Sequence, residues 1–199
     1  FIEKTSQKSN IRRAGEDIQK GDTVLTTGTC LTAEHMMVLA NLGIQDVSVF
    51  KKARIAVLTT GDELATNGKP SDGQIFSSNG FYMRLFAEQM GAEIVLEKTV
   101  PDDANVFQAT LKKAREKADI ILTCGAVSAG RFDFVPTVFA ADEILYHKLA
   151  LRPGKPNFGA RLGDGTLVLG FPGNPVATMV GLRFLFVPLL MWMAGRQVE

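Results

Sequence analysis

Three acids and three cations in this 199-residue chain sit in loops whose small residues and prolines suit the handling of a phosphate ester. Glu63 lies in TGDEL (60–64), Asp102 in PDD (101–103), and Asp133 three residues beyond Gly130, which closes CGAVSAG (124–130). Backbone N–H groups of such a small-residue loop can cradle a phosphate; Gly125 and Gly130 let the chain come close, and Ser128 adds a hydroxyl. A bare carboxylate about 4 Å from a phosphate charge costs on the order of 4 kcal/mol at an effective dielectric of 20. A bridging Mg²⁺ removes that cost, since this ion takes one or two carboxylates together with substrate phosphates. Asp133, Glu63 and Asp102 are therefore candidate metal ligands and catalytic acids. The competing reading is three unrelated loop acids, with Asp62 and Asp103 capping the turns that follow them. The loop is neither GxGxxG nor a Walker loop, and a tight strand-to-helix turn would explain it equally.

The cations are Lys148, Arg152 and Lys155. The last two belong to RPGKP (152–156), a stiff loop separated by a hairpin pattern from a neutral one, FPGNP (171–175), with Pro172 and Pro175. Proline fixes φ and glycine admits close approach, so the two loops side by side would form an anion seat. A solvated positive face is the alternative. Cys124 as a nucleophile is not indicated, because neither His35 nor His147 is placed as its base.

The elements that must position these residues read as follows. Apolar runs at RIAVLTT, EIVLEKTV and DIILT alternate with helical stretches at GFYMRLFAEQM and ANVFQATLKKAREK. That rhythm predicts an α/β fold, a mostly parallel sheet with helices on both faces. Asn79 is read as the cap of the first of these helices and Asp103 as the cap of the second. EILYHKLAL adds a further strand, and KPNFGARL and TLVLGF form an antiparallel hairpin through 163–165. In such a sheet ligands bind beyond the carboxyl ends of the strands, where all five loops belong. Residues 1–52 read differently: strands at TVLTTGT (23–29) and DVSVF (46–50) around a helix from Thr32 to Gly43 make a small β-rich segment of an adjoining domain. The second domain then covers 53–199.

Composition is ordinary for a globular protein, 46% hydrophobic and 22% charged, and the net charge of +1 gives no field toward nucleic acid or a membrane surface. Two cysteines in unlike contexts suit a reducing cytosol. The run 176–193 is apolar enough to suggest a membrane span, but Arg183 lies within it and Pro188 would kink it, so a buried or interface helix is expected. No signal peptide opens the chain, and its start without methionine suggests a piece of something longer.

Taken in order, IRRAGEDIQKGD, TTGDEL, PDD, CGAVSAGRFDFV, KLALRPGKP and GFPGNPVA resemble the molybdopterin molybdenumtransferase family, which includes the gephyrin E domain. The resemblance runs along essentially the whole chain, and the combination of TGDEL, PGKP and PGNP carries it. It implies a molybdopterin-binding α/β domain. The implied activity inserts molybdenum from molybdate into adenylylated molybdopterin with Mg²⁺ or a similar ion, releasing AMP. By motif, the acids are Glu63, Asp102 and Asp133, the cations Lys148, Arg152 and Lys155, and the final loop is shaped by Pro172 and Pro175. The family also implies a homodimer, whose cleft the partner completes, and chains about twice this length; with the cysteine usage above, a cytoplasmic protein is expected. Two positions depart from the pattern: Ala126 stands where a glycine is usual, and Arg152 where lysine is usual. An adenylyltransferase on the same fold and a scaffold module are the alternatives.

Overall fold

The computed structural model describes residues 11–65, 69–125 and 138–196. The chain divides into two compact units, one ending at Gln45 and one starting at Asp46. In the first, helix α1 (Ala33–Asn41) follows an extended Thr32, as its sequence predicts. The His35 ring accepts from the Thr32 N–H at 3.2 Å, so this histidine caps a helix. Gly43 takes φ +73° just past the helix end. The expected strands at 23–29 and 46–50 do not form: both stretches are without ladder partners, and α1 is the one regular element among the described residues before Arg54. An alternating pattern specifies a strand only when a second strand supplies its hydrogen bonds. The β-rich character expected of this region is thus absent from its described residues.

The second unit holds a six-stranded sheet: β1 (Arg54–Thr60), β2 (Glu93–Val100), β3 (Ile120–Cys124), β4 (Glu143–His147), β5 (Phe158–Arg161) and β6 (Leu167–Phe171), in the order β2-β1-β3-β6-β5-β4. The pairs β1–β2, β1–β3 and β3–β6 are parallel; β5 runs antiparallel to β6, and β4 to β5. The β5–β6 pair is the hairpin read at 163–165, where Gly165 has φ +89°.

Strand alternation assigns each face. Ile55 and Val57 of β1 join Ile120, Leu122, Leu169 and Phe171 in one core layer, under α2 (Ser78–Gln89) through Met83 and Ala87. Ala56 and Leu58 face the other way, with Ile121, Val168 and Phe158, under α3 (Ala104–Arg115) through Phe107, Leu111 and Ala114. Each of the larger side chains here, Val, Leu, Ile, Phe or Met, contributes about 1.5–3 kcal/mol on burial, so the two layers hold the sheet edge rigid. Asp103 caps α3 as expected, its carboxylate accepting from Asn105 and Val106 N–H. At the opposite edge from the loops, Arg115 of α3 donates to Asp164 in the β5–β6 turn at 2.8 Å. That guanidinium lowers the Asp164 pKa to about 2.

The apolar C-terminal run is one helical rod in three parts: α4 (Pro175–Gly181), a π turn (Leu182–Phe186) and α5 (Val187–Met193). By length and composition it could cross a membrane. Its sheet side is packed away instead, with Leu182, Phe186 and Leu190 in the α2 layer. Phe184 and Trp192 on the other side remain exposed at 64% and 71%. Burial against the sheet is therefore borne out for one face only. In place of the kink read at Pro188, the chain widens one turn before it, as π turns do.

Candidate functional site

Register brings the loops together. Thr60 at the end of β1 pairs with Val100 of β2, Thr59 with Cys124 of β3, and Cys124 with Phe171 of β6. TGDEL, PDD, the glycine loop and FPGNP thus leave the sheet side by side. His147 of β4 faces Phe158 of β5, which in turn faces Gly170, so Lys148 and RPGKP emerge at the same edge. The convergence expected from the carboxyl-end rule holds for every loop as far as it is described. Ser128, Gly130 and Asp133, like Ala126, lie outside the described residues.

The acids occupy the β1–β2 end. The Asp102 N–H donates to Asp62 Oδ1 at 3.1 Å, so Asp62 ties two loops together rather than capping its own turn. Burial raises the Asp102 pKa, and the charges of Asp62 and Glu63 raise it further. The structure therefore does bring Glu63 and Asp102 close enough to repel. Among the described residues no three of His, Cys, Asp and Glu form a metal-holding group.

The cations occupy the β5–β4 end. Arg152 and Lys155 line a cleft of about 830 Å³ with Leu151, Pro172, Asn174 and Ala177. None of Lys148, Arg152 and Lys155 makes an ion pair with a described acid. Lys148 itself has φ +66°, unusual for a residue with a side chain. The Arg152–Pro153 peptide is cis. From β1 to β5 is three strand spacings, about 14 Å, so the charges of opposite sign sit too far apart to pair with one another.

Between the two ends lies a smaller hollow of about 140 Å³, lined by Glu63, Ser77, Asn79, Cys124, Gly125 and Pro175 among others. Gly125 has φ +123°, and a Cβ there would run into the Thr60 carbonyl, so the loop can begin only with glycine. FPGNP is tied down from three sides. Thr178 Oγ1 donates to the Pro172 carbonyl at 2.8 Å, Asn79 Nδ2 to the Gly173 carbonyl at 2.7 Å, and the Asn174 side chain caps α4 at Ala177 N–H. The Cys124 thiol, 3.3 Å from the Pro172 carbonyl, is buried, and burial pushes its pKa up. It packs the loop.

Chemically, one edge of one sheet thus offers hard oxygen donors at one end, cations without a described acid as partner at the other, and close backbone between. The family model described as "Probable molybdopterin binding domain" matches residues 56–192. The chain belongs to this molybdopterin-binding family. A second model, "MoeA N-terminal region (domain I and II)", matches residues 2–43. The molybdopterin molybdenumtransferase of Haemophilus influenzae is 37% identical over 199 residues, 99% of this chain and 49% of that one. Its counterpart in Staphylococcus aureus strain Mu50 is 38% identical over 193 residues, 96% of this chain and 46% of that one. The crystal structure of a molybdopterin biosynthesis MoeA protein from Pyrococcus horikosii superposes with a TM-score of 0.83 at 30% identity, covering 92% of this chain and 46% of that one. The chain spans about half the length of these relatives.

Sequence reasoning missed three positions at this loop edge of the sheet. Asn79 was expected to cap α2; Ser77 holds that place, and Asn79, inside the helix, reaches across to FPGNP. Thr178 carried no signal in an apolar run. Asn157, next to RPGKP, is fully buried and turned toward that loop; its position after Pro156 was the available clue.

Proposed function

We propose that this chain is the substrate-binding half of an enzyme that transfers molybdenum from molybdate to adenylylated molybdopterin and releases AMP. The separation of charge along one sheet edge carries the reading: crowded carboxylates at the β1–β2 end, and at the β5–β4 end cations with no ion pair among the described residues. A ligand with a pyrophosphate at one end and an oxyanion acceptor at the other fits that polarity.

Glu63 and Asp102, together with Asp133, would hold a divalent ion. The donor set suits it: hard oxygens, with a raised Asp102 pKa that a cation would relieve. When bound, Mg²⁺ supplies charge neutralisation at the pyrophosphate being cleaved. Gly125, Ser128 and Gly130 cradle the phosphates through backbone N–H and hydroxyl. Arg152 and Lys155, with Lys148 beside them, draw in and orient the anionic molybdate. Arg152 contributes a planar fork where lysine would be a point charge. Pro172 and Pro175 keep the opposing wall fixed, so little order is lost on binding.

Residues 53–199 act as the binding domain and 1–52 as part of a neighbouring one that further chain completes. The working protein, on this reading, is a cytoplasmic homodimer that contacts neither nucleic acid nor membrane. Extracting the purified chain and finding a bound pterin or adenine chromophore is the expected result. ATP-dependent formation of adenylylated molybdopterin would instead make it an adenylyltransferase.

A further inference from the structure

RPGKP carries Arg152 and Lys155, which have no ion pair among the described residues, yet its prolines remove two of its own N–H donors. Two hydrogen bonds from one neighbour meet on its Gly154 carbonyl. The Asn157 N–H donates to the Gly154 carbonyl at 3.2 Å, and its side-chain Nδ2 donates to that same oxygen. The Asn157 carbonyl accepts from Lys148 N–H at 3.0 Å, and Leu149 N–H closes the loop onto the Lys155 carbonyl at 2.7 Å. Asn157 has 0% exposure. Its Oδ1 has no partner among the described residues and lies against Gly181, where a Cβ would come within 2.7 Å of it. Turning the amide over would set Oδ1 against the Gly154 carbonyl, two acceptors face to face, so the donor must point at the loop.

We infer that Asn157 is a positioning residue for the anion site: its buried amide clamps Gly154 and so fixes where Arg152, Lys155 and Lys148 present their charge. The inference rests on the anion-seat reading above and deepens it. Gly181 is part of the device, because any side chain there would push the amide off its acceptor.

Amide exchange and molybdate calorimetry on the 199-residue chain test it. In the wild type, the Asn157 side-chain NH₂ should exchange at least about tenfold more slowly than a free amide, as a buried donor does; exchange at the free rate overturns the clamp. In Asn157→Ala, exchange at Leu149 should rise about tenfold while that of Leu169 in β6 stays unchanged; an unchanged Leu149 overturns it as well. Molybdate binding should weaken about tenfold in Asn157→Ala yet keep its dependence on ionic strength, because every cation remains. Lys155→Ala should weaken binding and flatten that dependence. Wild-type affinity in a folded Asn157→Ala overturns the positioning role. Loop exchange that rises in a protein without molybdate affinity retains the clamp and overturns the anion-seat reading. If Asn157→Ala fails to fold, Asn157→Asp serves, since its carboxyl donates to Gly154 only when protonated. Its molybdate affinity should then recover as pH falls, and a flat profile overturns the inference.

Discussion

The two ends of the sheet edge are incomplete in opposite ways. At the β1–β2 end, Asp62, Glu63 and Asp102 crowd like charges, and Asp102 holds its proton above the usual carboxylate range. At the β5–β4 end, Arg152 and Lys155 face a cleft of about 830 Å³ without a described acid as partner. At the far edge of the same sheet, by contrast, Arg115 and Asp164 form a close ion pair at 2.8 Å. The contrast is what the proposed function rests on, with a cation relieving one end and an anion the other.

Removing one of the proposed metal-holding acids should have the largest effect. Asp133→Asn in a full-length protein should fold, still bind adenylylated molybdopterin, and lose a hundredfold or more of its molybdate-dependent AMP release, about 2.7 kcal/mol in barrier. Single-turnover release at saturating Mg²⁺ and molybdate measures this, and a wild-type rate would make Asp133 a plain loop acid. At the basic end the effect should be smaller and confined to binding. Lys155→Ala should weaken molybdate about tenfold, near 1.4 kcal/mol, with an unchanged melting temperature. Calorimetry beside thermal unfolding separates the two, and unaltered affinity would remove Lys155 from the site.

The wall between the ends should respond in stability instead. Thr178→Val leaves the Pro172 and Asn174 carbonyls without their hydroxyl donor and should cost about 1 kcal/mol of unfolding free energy. Urea unfolding checks it; no change would mean that Cys124 and Asn79 suffice to hold FPGNP. A finer test sharpens the charge contrast by titration. The folded Asp102 pKa is raised, so ionisation destabilises the fold as pH climbs from the unfolded value through the folded one. Asp62→Asn should bring that pKa down, followed by carboxyl carbon NMR; a stationary value would show burial alone at work. Asp164 behaves oppositely. Its depressed pKa contributes stability above the ordinary value of 3.8, lost as pH falls toward about 2. Asp164→Asn should therefore flatten the acid limb of stability between those values, and an unchanged acid limb would show the Arg115 pair contributing nothing.

The sheet was legible because four parallel strands leave continuous or alternating apolar runs, and the loops after them carry their own punctuation of Gly, Pro and Asp. Asp103 as a cap was legible for the same local reason. The strands expected at 23–29 and 46–50 were not, because a half-apolar pattern says nothing about whether a partner strand exists. Asn79, Asn157 and Thr178 escaped for a third reason. An amide or hydroxyl takes its meaning from the acceptor it reaches, and here those acceptors lie in loops up to 94 residues away along the chain. Charge is readable from type and spacing; the small polar groups that aim it are readable only once the fold has closed.

The π turn in the terminal rod has a consequence for the phase of that helix. Thr178, Leu182, Phe186 and Leu190 recur every four residues, and all are buried. In an ideal α-helix of 3.6 residues per turn, a four-residue step drifts by about 40°, so three steps would swing the line by about a third of a revolution. Leu190 would then leave the sheet. The wider turn, in which Val187 N–H reaches back to the Leu182 carbonyl, unwinds part of that drift and keeps the line straight. The helix is matched to a repeat of four rather than to its own pitch, and deleting one residue within 182–186 would rotate everything after it out of the core.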